Sequence, residues 1–376
     1  MWVNEQRETA TENLGKFARF RKWLNSPVGK KVVIGSIFGI ALVAAGWVAY
    51  DRYFKKILTE KPAPTSSTAL QTKVASKLDG TLVYPEYANR HPLGIVIENH
   101  PDARPQTGLE NASVIYETAT EGGITRFLAM FSPYDSDVLG PVRSARTYFV
   151  SWISDYDAFF GHVGGNLDAL EKIKQEGILD LDQFALGQKA YWRQPESGKA
   201  VEHTMYASTV KLYSEAENKG WPKEGSYTGW KFKDEVPLEQ RPQSAEVTIN
   251  FSSPTYKVNW QYDPNKNIYL RNMAGAPHKD KVTDNQLFTK NIVVQQVEKW
   301  NSPTTINEAG YAMKTVGSGN AYVFFDGKKI DATWKKETEE SRTFFYDLQG
   351  NEIQFNAGPT WIEIMPPENW NQVTTS

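Results

Sequence analysis

The stretch EGGITRFLAMF at residues 121–131, followed after a short turn by GPVRSAR at residues 140–146, decides how this sequence is expected to fold. Its segment FLAMF is apolar throughout, which predicts a strand that is covered on both faces. Beyond the Gly140-Pro141 break, apolar residues recur at spacings of three and four from Tyr148 onward, which predicts a helix. A strand, a proline turn and a helix together indicate a layered domain of strands and helices.

Three arginines lie in or next to the predicted strand and helix of this unit. Arg126 is in the predicted strand, and Arg143 and Arg146 come just before the predicted helix. The free N–H groups and the dipole at a helix N-terminus favour an anion, and guanidinium groups suit phosphate or carboxylate. Ser144, between two of the arginines, and Thr147 are the candidate caps for the helix.

These residues predict a site for phosphate, pyrophosphate or an acidic glycan. Its predicted ligand-binding residues are Arg104, Arg126, Arg143, Ser144, Arg146 and His162. His162 is included because the neighbouring glycines allow a ligand to approach the backbone closely. The alternative is that the arginines pair with Glu98, Glu117 and Glu121 inside the scaffold, where buried arginine–carboxylate pairs are common.

The sequence leaves open whether the protein is an enzyme. The candidate acid–base residues are Glu121, His162, Asp168 and His203. Histidine and carboxylate side chains are the usual general acids and bases, whereas the alternative for each histidine is a satisfied structural role. No HExxH or other metal-ligand spacing occurs, and no GxSxG nucleophile turn occurs. We therefore predict no metal and no cofactor.

The composition excludes several function classes. The sequence has 376 residues, no cysteine and a formal net charge of −2 at pH 7. Without cysteine it has no disulfide, no thiol nucleophile, no zinc–thiolate site and no lipidated cysteine. A charge close to zero gives no overall basic field, so nucleic acid is not a predicted partner.

Residues 32–50 form an uncharged apolar run, VVIGSIFGIALVAAGWVAY. A helix of this length spans about 28 Å, close to the hydrocarbon core of roughly 30 Å, so we predict a single transmembrane helix. Basic residues favour the side that precedes it, which places residues 1–31 in the cytoplasm as a tail and the rest of the chain outside the cell membrane. A cleaved signal peptide is the alternative.

Two further expectations concern the region around this helix. Gly35 and Gly39 form a GxxxG pair that predicts a homodimer through the membrane, the alternative being ordinary tolerance of small residues in a membrane helix. Residues 51–78 include the Pro/Ser/Thr-rich stretch KPAPTSSTALQT and are predicted to be a linker.

The remaining chain is expected to form two domains, which makes the fold class α+β overall. Residues 79–240 alternate strands and helices and predict an α/β-type layered domain. Residues 245–368 show apolar residues at a period of two and predict a mostly antiparallel β domain, with Asp326-Gly327 as the turn of a hairpin.

Several motifs resemble the YerB-like lipoprotein family, which is built around a domain of unknown function and a smaller companion domain. The motifs are PLGIVIENHPDARPQTGL at 92–109, VIYETATEGGITRFLAMF at 114–131, HVGG at 162–165, VNWQYD at 258–263, IYLRNMAGAPHKD at 268–280 and NIVVQQV at 291–297. The resemblance covers residues 92–365. It implies a bacterial cell-envelope protein, and it implies no particular biochemical activity.

This sequence departs from the family pattern in two places. Lipid-anchored members of the family have a cysteine and this sequence has none, so the predicted membrane helix takes over the anchoring. Glu202-His203-Thr204 stands where the family resemblance leads us to expect Pro-His-Asn, which weakens a functional role for His203.

Together these features predict a membrane-anchored extracytoplasmic protein that binds an acidic envelope polymer or a lipid-linked precursor at its arginines. An envelope phosphoester enzyme is the first alternative, because the order of membrane helix, α/β domain and arginine turn is similar to that of LytR-CpsA-Psr phosphotransferases. Fold analogy alone does not establish function. A partner-docking assembly protein, which would use a sheet edge of the β domain, is the second alternative.

Overall fold

A ten-stranded sheet is the centre of the structure, a computed structural model of the chain. The structure describes residues 21–22, 24–28, 30–31 and 72–376. The predicted membrane helix at 32–50 and the Gly35–Gly39 pair lie outside the described residues. Within the described ranges, no helix is long and apolar enough to cross a membrane. Met1–Leu70 and Gln71–Ser376 form separate units, and the ten-stranded sheet belongs to the second.

The first part of this second unit contains short strands and five α-helices. The strands are β1 (Val74–Ala75), β2 (Leu82–Val83), β3 (Leu93–Glu98), β4 (Val114–Ala119), β5 (Thr125–Phe131), β6 (Phe159–His162), β7 (Asp180–Asp182), β8 (Tyr191–Arg193), β9 (Met205–Ala207) and β10 (Lys231–Lys233). The helices are α1 (Pro85–Ala88), α2 (Thr147–Ser154), α3 (Leu167–Gln175), α4 (Gln183–Leu186) and α5 (Thr209–Asn218).

The second part of the unit consists mostly of strands. They are β11 (Glu246–Asn250), β12 (Lys257–Asp263), β13 (Ile268–Met273), β14 (Ala276–Pro277), β15 (Phe288–Thr289), β16 (Asn291–Gln296), β17 (Lys299–Asn301), β18 (Tyr311–Met313), β19 (Gly317–Phe325), β20 (Lys328–Lys336), β21 (Phe344–Asp347), β22 (Gln354–Asn356), β23 (Thr360–Met365) and β24 (Val373–Thr375). The expected mixture of helices and strands is confirmed, with strands in the majority.

The central sheet has the strand order β21-β20-β19-β16-β23-β4-β5-β3-β6-β7. Strands β3 to β7 come from the first part of the unit, and β16, β19, β20, β21 and β23 come from the second. The two groups meet where β23 runs parallel to β4, with Trp361 opposite Ile115. The sheet therefore crosses the predicted boundary between residues 240 and 245, and the division into two domains stays a prediction.

A second sheet covers one face of the central sheet. It has the order β14-β13-β12-β11-β24, with β15 beside β13. Its alternating apolar residues, such as Val258 and Trp260 on β12, pack with Phe127 and Trp361 of the central sheet in one core cluster. The predicted period of two in this region is thus confirmed, because the alternate side chains of β12 are the buried ones.

Helix α2 covers the opposite face. Its Phe149 and Trp152 pack with Leu128 and Met130 of β5 in a second core cluster. Every residue of β5 is buried, as the apolar run predicted, because odd-numbered positions such as Phe127 face the second sheet and even-numbered ones face α2. We call these two sides of the central sheet the sheet face and the helix face.

The hairpin of β19 and β20 has the predicted Asp326-Gly327 turn. Asp326 has φ 53° and Gly327 has φ 71°. Positive φ at both central positions is the requirement of a type I′ turn, which suits Asp-Gly and matches the twist of the two strands.

Candidate functional site

The proline segment GPVRSAR is fixed beside the C-terminal end of β3. The N–H of Glu98 donates to the carbonyl of Pro141 at 2.9 Å, and the N–H of Arg143 donates to the carbonyl of Val96 at 2.9 Å. On β3, strand β6 pairs only with residues 93–95. The backbone of β3 beyond them is therefore free to pair with the proline segment. Arg143 therefore lies next to Glu98, which is itself opposite Arg126 in the register of β3 and β5.

Three of the predicted arginines come together at this end of the sheet, and we call Arg126, Arg143 and Arg146 the arginine cluster. The positive charges of Arg146 and Arg143 both act to lower the pKa of Arg126. Two carboxylates accompany the cluster, Glu98 from β3 and Glu121 from the turn between β4 and β5.

Arg146 and Glu121 form a bidentate ion pair. Nε of Arg146 donates to Oε1 of Glu121 at 2.8 Å, and Nη2 donates to Oε2 at 2.9 Å. Burial acts to raise the pKa of Glu121, but the hydrogen bonds and charge of Arg146 outweigh it and hold that pKa below its ordinary value. This fork-to-carboxylate geometry is the strong form of ion pair, so Glu121 is committed to Arg146 in the structure.

Arg143 shares Glu98 with a histidine. Nε of Arg143 is 3.0 Å from Oε1 of Glu98, although the angle is not that of a hydrogen bond. Oε2 of Glu98 is 2.8 Å from Nδ1 of His203. Arg143 also donates from Nη1 to the carbonyl of Glu202 at 3.4 Å. Glu98 thus links the cluster to the segment that contains His203, which is distant in sequence.

Arg126 differs from its two neighbours because, within the described part of the chain, no carboxylate pairs with it. Its hydrogen bond is from Nη1 to the carbonyl of Ser144 at 3.4 Å, and its buried Nε has no partner. The residue is 9% exposed. Burial first, and the charge of Arg146 second, lower the pKa of Arg126 to about 10. A buried guanidinium group in this state is a cation that lacks its anion.

Two members of the cluster have an ion pair, Arg143 with Glu98 and Arg146 with Glu121. Arg126 has none within the described residues, although the charge of Glu121 also acts on it. An oxyanion bound beside Arg126 would supply both the missing charge and the missing acceptors.

Ser144 does not cap the following helix, contrary to the sequence-based prediction. Helix α2 begins at Thr147 with Arg146 at the N-cap position, and no side chain accepts a hydrogen bond there. The extended backbone of the segment holds Ser144 two residues too early. Its carbonyl accepts from Arg126, and its hydroxyl makes no hydrogen bond to any residue that the structure describes.

Arg104 lies apart from the cluster and has internal partners. Its Nε and Nη2 donate to the side chain and backbone oxygens of Asn99, both at 3.0 Å, and Nη1 donates to the carbonyl of Thr255 at 3.0 Å. The guanidinium group also lies over the ring of Tyr256. These bonds join the loop after β3 to the second sheet, which is a structural role.

The side chains of His162 and Asp168 have partners other than the arginine cluster, although the backbone next to His162 pairs with it, since the N–H of Val163 donates to the carbonyl of Arg143 at 3.0 Å. Nδ1 of the buried His162 is 2.8 Å from the carbonyl oxygen of Gly164, and Nε2 is 3.0 Å from Asp180. Asp168 accepts from the backbone and the hydroxyl of Thr305 at 3.2 and 2.9 Å. Of the four acid–base candidates, the structure therefore brings Glu121 and His203 to the cluster. The functional assignments of all these residues stay predictions.

A buried charged network on the sheet face was missed from the sequence. Arg271 of β13 contacts Glu117 through Nη2, and donates to Oε1 of Glu363 from Nη1 at 3.1 Å. Its Nε donates to Nδ1 of His278 at 3.0 Å, and its guanidinium carbon lies 4.1 Å from the ring centre of Trp361. Glu117 and Glu363 are acidic residues in the middle of apolar strands. This pattern in the sequence could have indicated that both carboxylates are buried and need a cationic partner.

A cavity of about 1050 Å³ lies elsewhere, and no member of the arginine cluster lines it. Its lining includes Asp155 and Arg342. Asp155 pairs with Lys336, and the Arg342 guanidinium group stacks 3.8 Å from the ring centres of both Tyr156 and Trp230. Arg342 has a carboxylate within the fold, since its Nη1 is 3.8 Å from Oδ2 of Asp155, although its Nε and Nη1 have no hydrogen-bond partner among the described residues. The cavity size alone does not identify it as the functional site.

Comparison with known families gives two matches that divide the chain. Residues 78–222 match the family described as "Protein of unknown function (DUF3048) N-terminal domain". Residues 247–362 match the C-terminal domain of the same family. The whole arginine cluster lies in the first match, and Arg271 lies in the second.

One curated relative and one solved structure show similarity over most of the chain. The relative, "Putative lipoprotein YerB" from Bacillus subtilis (strain 168), is 28% identical over 297 residues, which cover 78% of this chain and 87% of the relative. The crystal structure of the YerB protein from Bacillus subtilis is 26% identical, with a TM-score of 0.71, and the match covers 81% of this chain and 100% of that chain.

Proposed function

The chain belongs to the DUF3048 family of proteins of unknown function, and we propose that it is a membrane-anchored binding protein that holds an anionic envelope ligand at the arginine cluster. The ligand would carry phosphate groups or be an acidic glycan. The observation that carries this proposal is Arg126, a buried cation for which the described residues provide no carboxylate.

The arrangement suits binding by charge and shape. The ligand oxygens would accept from Arg126, while Arg143 and Arg146 keep their carboxylates and contribute their remaining N–H groups. One guanidinium group without an ion pair suits a single phosphate or carboxylate group at a time. A polymer would then bind through one repeating unit per site, with affinity that falls as salt screens the charges.

The proposed location outside the cell membrane rests on two observations. The similar protein from Bacillus subtilis is named "Putative lipoprotein YerB". This sequence has no cysteine, and its residues 32–50 form an uncharged apolar run that is long enough to anchor it. The arginine cluster would then face the envelope, where anionic polymers are accessible.

The test uses the full-length protein in detergent micelles, with pyrophosphate and polygalacturonate as probes for phosphate and for carboxylate ligands. Binding is measured by calorimetry in the presence of a metal chelator at two salt concentrations. We expect saturable, salt-sensitive binding of at least one probe. Arg126→Gln should weaken it at least tenfold, because a charge-assisted hydrogen bond contributes about 1.5–3 kcal/mol.

Arg241→Gln provides the matched control. Arg241 is also a mostly buried arginine, paired with Glu235 at 3.3 Å, but it precedes the second sheet and is not in the cluster. This variant should bind as the unchanged protein does. Absence of binding to both probes, or equal affinity of the Arg126→Gln and Arg241→Gln variants, would show that the cluster is not the ligand site.

A further inference from the structure

A pair of histidines lies beside the arginine cluster, and one of them is oriented by a carboxylate. Nδ1 of His203 is 2.8 Å from Oε2 of Glu98, and both side chains are buried. Because an ionised carboxylate only accepts, Nδ1 of the neutral ring would carry the proton and leave the lone pair of Nε2 free for a metal ion. Metal-binding histidines commonly have this carboxylate contact, which fixes the ring and its tautomer.

Two more possible ligands lie next to His203. The ring of His100 stacks on it with 4.9 Å between ring centres and 9° between the planes. Oδ2 of Asp102 is 3.6 Å from Nδ1 of His100. One donor atom from each of the three residues lies within 4.8 Å of the others. His203 is thus a fixed member of the group, while His100 and Asp102 are more exposed and can change rotamer.

We propose that His100, Asp102 and His203 bind a first-row divalent cation, of which Zn²⁺ is the representative. Two imidazole nitrogens and one carboxylate oxygen are ligands that such ions accept, and three protein ligands leave a coordination position open. Because the two stacked rings lie nearly parallel, their in-plane lone pairs do not converge on one point in the ion-free structure. Bonds of about 2.0–2.2 Å to each ligand therefore require the partly exposed His100 ring to leave the stack and, together with Asp102, to rotate toward His203.

Binding changes one hydrogen bond of the fold. Nδ1 of His100 accepts from the N–H of Asp102 at 3.2 Å. Coordination through Nδ1 would use that lone pair, and coordination through Nε2 would move the ring proton to Nδ1, so the bond is lost either way. It is a single bond at the surface, and Asp102 remains in the turn Pro101–Ala103.

The metal site is independent of the proposed anion site because its three ligands do not include any of the three arginines. The two are nevertheless adjacent, since Glu98 contacts both His203 and Arg143. An ion at this position would add positive charge to the same end of the sheet.

The experiment is a titration of untagged, full-length protein in detergent after chelator treatment. Zn²⁺ binding is followed by calorimetry, and Co²⁺ binding is followed by visible absorption, which reports nitrogen and oxygen ligation. We expect one ion per chain. His100→Ala and His203→Ala should each weaken binding at least tenfold, and Glu98→Gln should weaken it about 10–100-fold although Glu98 is not a ligand.

Asp331→Asn is the matched control for Asp102→Asn, because both carboxylates are largely exposed. Only the Asp102 variant should lose affinity. The proposal would be overturned if the protein took up no Zn²⁺ in a saturable way, or if His100→Ala bound Zn²⁺ with unchanged affinity. His100 is partly exposed, so its replacement tests the site without altering a buried residue. The anion titrations are made in chelator, so each proposal can fail while the other stands.

Discussion

Arg271 and Arg126 are both buried arginines, and they lie on opposite faces of strand β5, where Arg271 lies over the ring of Phe127 and Arg126 is the preceding residue. On the sheet face, Arg271 contacts two carboxylates, a histidine and aromatic rings. On the helix face, Arg126 donates one long hydrogen bond to a backbone carbonyl. Burial removes hydration from both, so the second carries an electrostatic cost that the first does not.

This difference separates a structural arginine from a candidate functional one. The network of Arg271 joins β4 and β23 of the central sheet to β13 of the second sheet, so it fixes how the two sheets pack. Arg126 links β5 only to the segment of Ser144. The charges of Arg146 and Arg143 disfavour its positive charge, and Glu121 favours it without forming an ion pair. Uncompensated charge of this kind is characteristic of sites where stability is traded for binding.

The largest expected effect comes from breaking the network on the sheet face. Arg271→Met leaves Glu117 and Glu363 buried without their shared cation, and loss of one partner of a buried ion pair costs about 3–5 kcal/mol. Urea unfolding followed by tryptophan fluorescence should show a loss of that size. Lys314→Met, which breaks an exposed pair with Glu298, should cost about 1 kcal/mol or less. Equal losses in the two variants would contradict a central structural role for Arg271.

The second prediction concerns the pH dependence of the same network. Burial raises the pKa of Glu363 to about 8, against the opposing effect of Arg271, and the neighbouring charge of Glu117 raises it further. In the window from about pH 5 to 8 the folded state therefore keeps a proton that the unfolded chain has released. The free energy of unfolding should fall with rising pH there, by up to about 1.4 kcal/mol per pH unit.

Glu363→Gln removes this titration and should flatten the pH dependence, with a gain in stability relative to the unchanged protein at pH 8. The measurement is urea unfolding at pH 5.5, 7 and 8.5. Glu298→Gln, at a carboxylate that is 62% exposed, serves as the control and should leave the slope as it is. A slope that persists in Glu363→Gln would show that another group is responsible.

The secondary structure on the two faces of the central sheet could be predicted from the sequence. The apolar run FLAMF predicted β5, and the apolar residues spaced three and four apart from Tyr148 predicted α2. The motifs indicated a family resemblance that the comparisons confirm. These predictions succeed because they depend on residues close together in the chain. The predicted anchor at 32–50 and the homodimer through it lie outside the described residues and stay predictions.

Contacts between distant residues could not be predicted in this way. Sequence pattern could not distinguish Arg104 from Arg126, because both are arginines near strand ends, and only the fold places Asn99 and Thr255 against the first. His203 reaches Glu98 across 105 positions of the chain. The parallel pairing of β23 with β4 likewise depends on the whole topology.

A smaller effect with the opposite sign is expected on the helix face. Arg126→Met removes a buried charge that lacks a counterion, so it should stabilise the ligand-free protein by on the order of 1 kcal/mol. Arg146→Met should instead destabilise it, because the carboxylate of Glu121 loses its bidentate partner. Thermal unfolding of both variants in chelator makes the comparison. A stability loss in Arg126→Met as large as that in Arg146→Met would mean that Arg126 is structural after all.

The smallest expected change in stability is that of Ser144→Ala. The Ser144 hydroxyl has no hydrogen bond to the described residues, whereas Asn166 caps α3 by accepting from the N–H of Ala169 at 3.1 Å. Ser144→Ala should therefore change the free energy of unfolding by less than about 0.5 kcal/mol, and Asn166→Ala should cost about 1 kcal/mol. If the hydroxyl lies at the ligand site, Ser144→Ala should nonetheless weaken pyrophosphate binding several-fold, and Asn166→Ala should not. Equal affinities in the two variants would restrict the ligand contacts to the guanidinium groups.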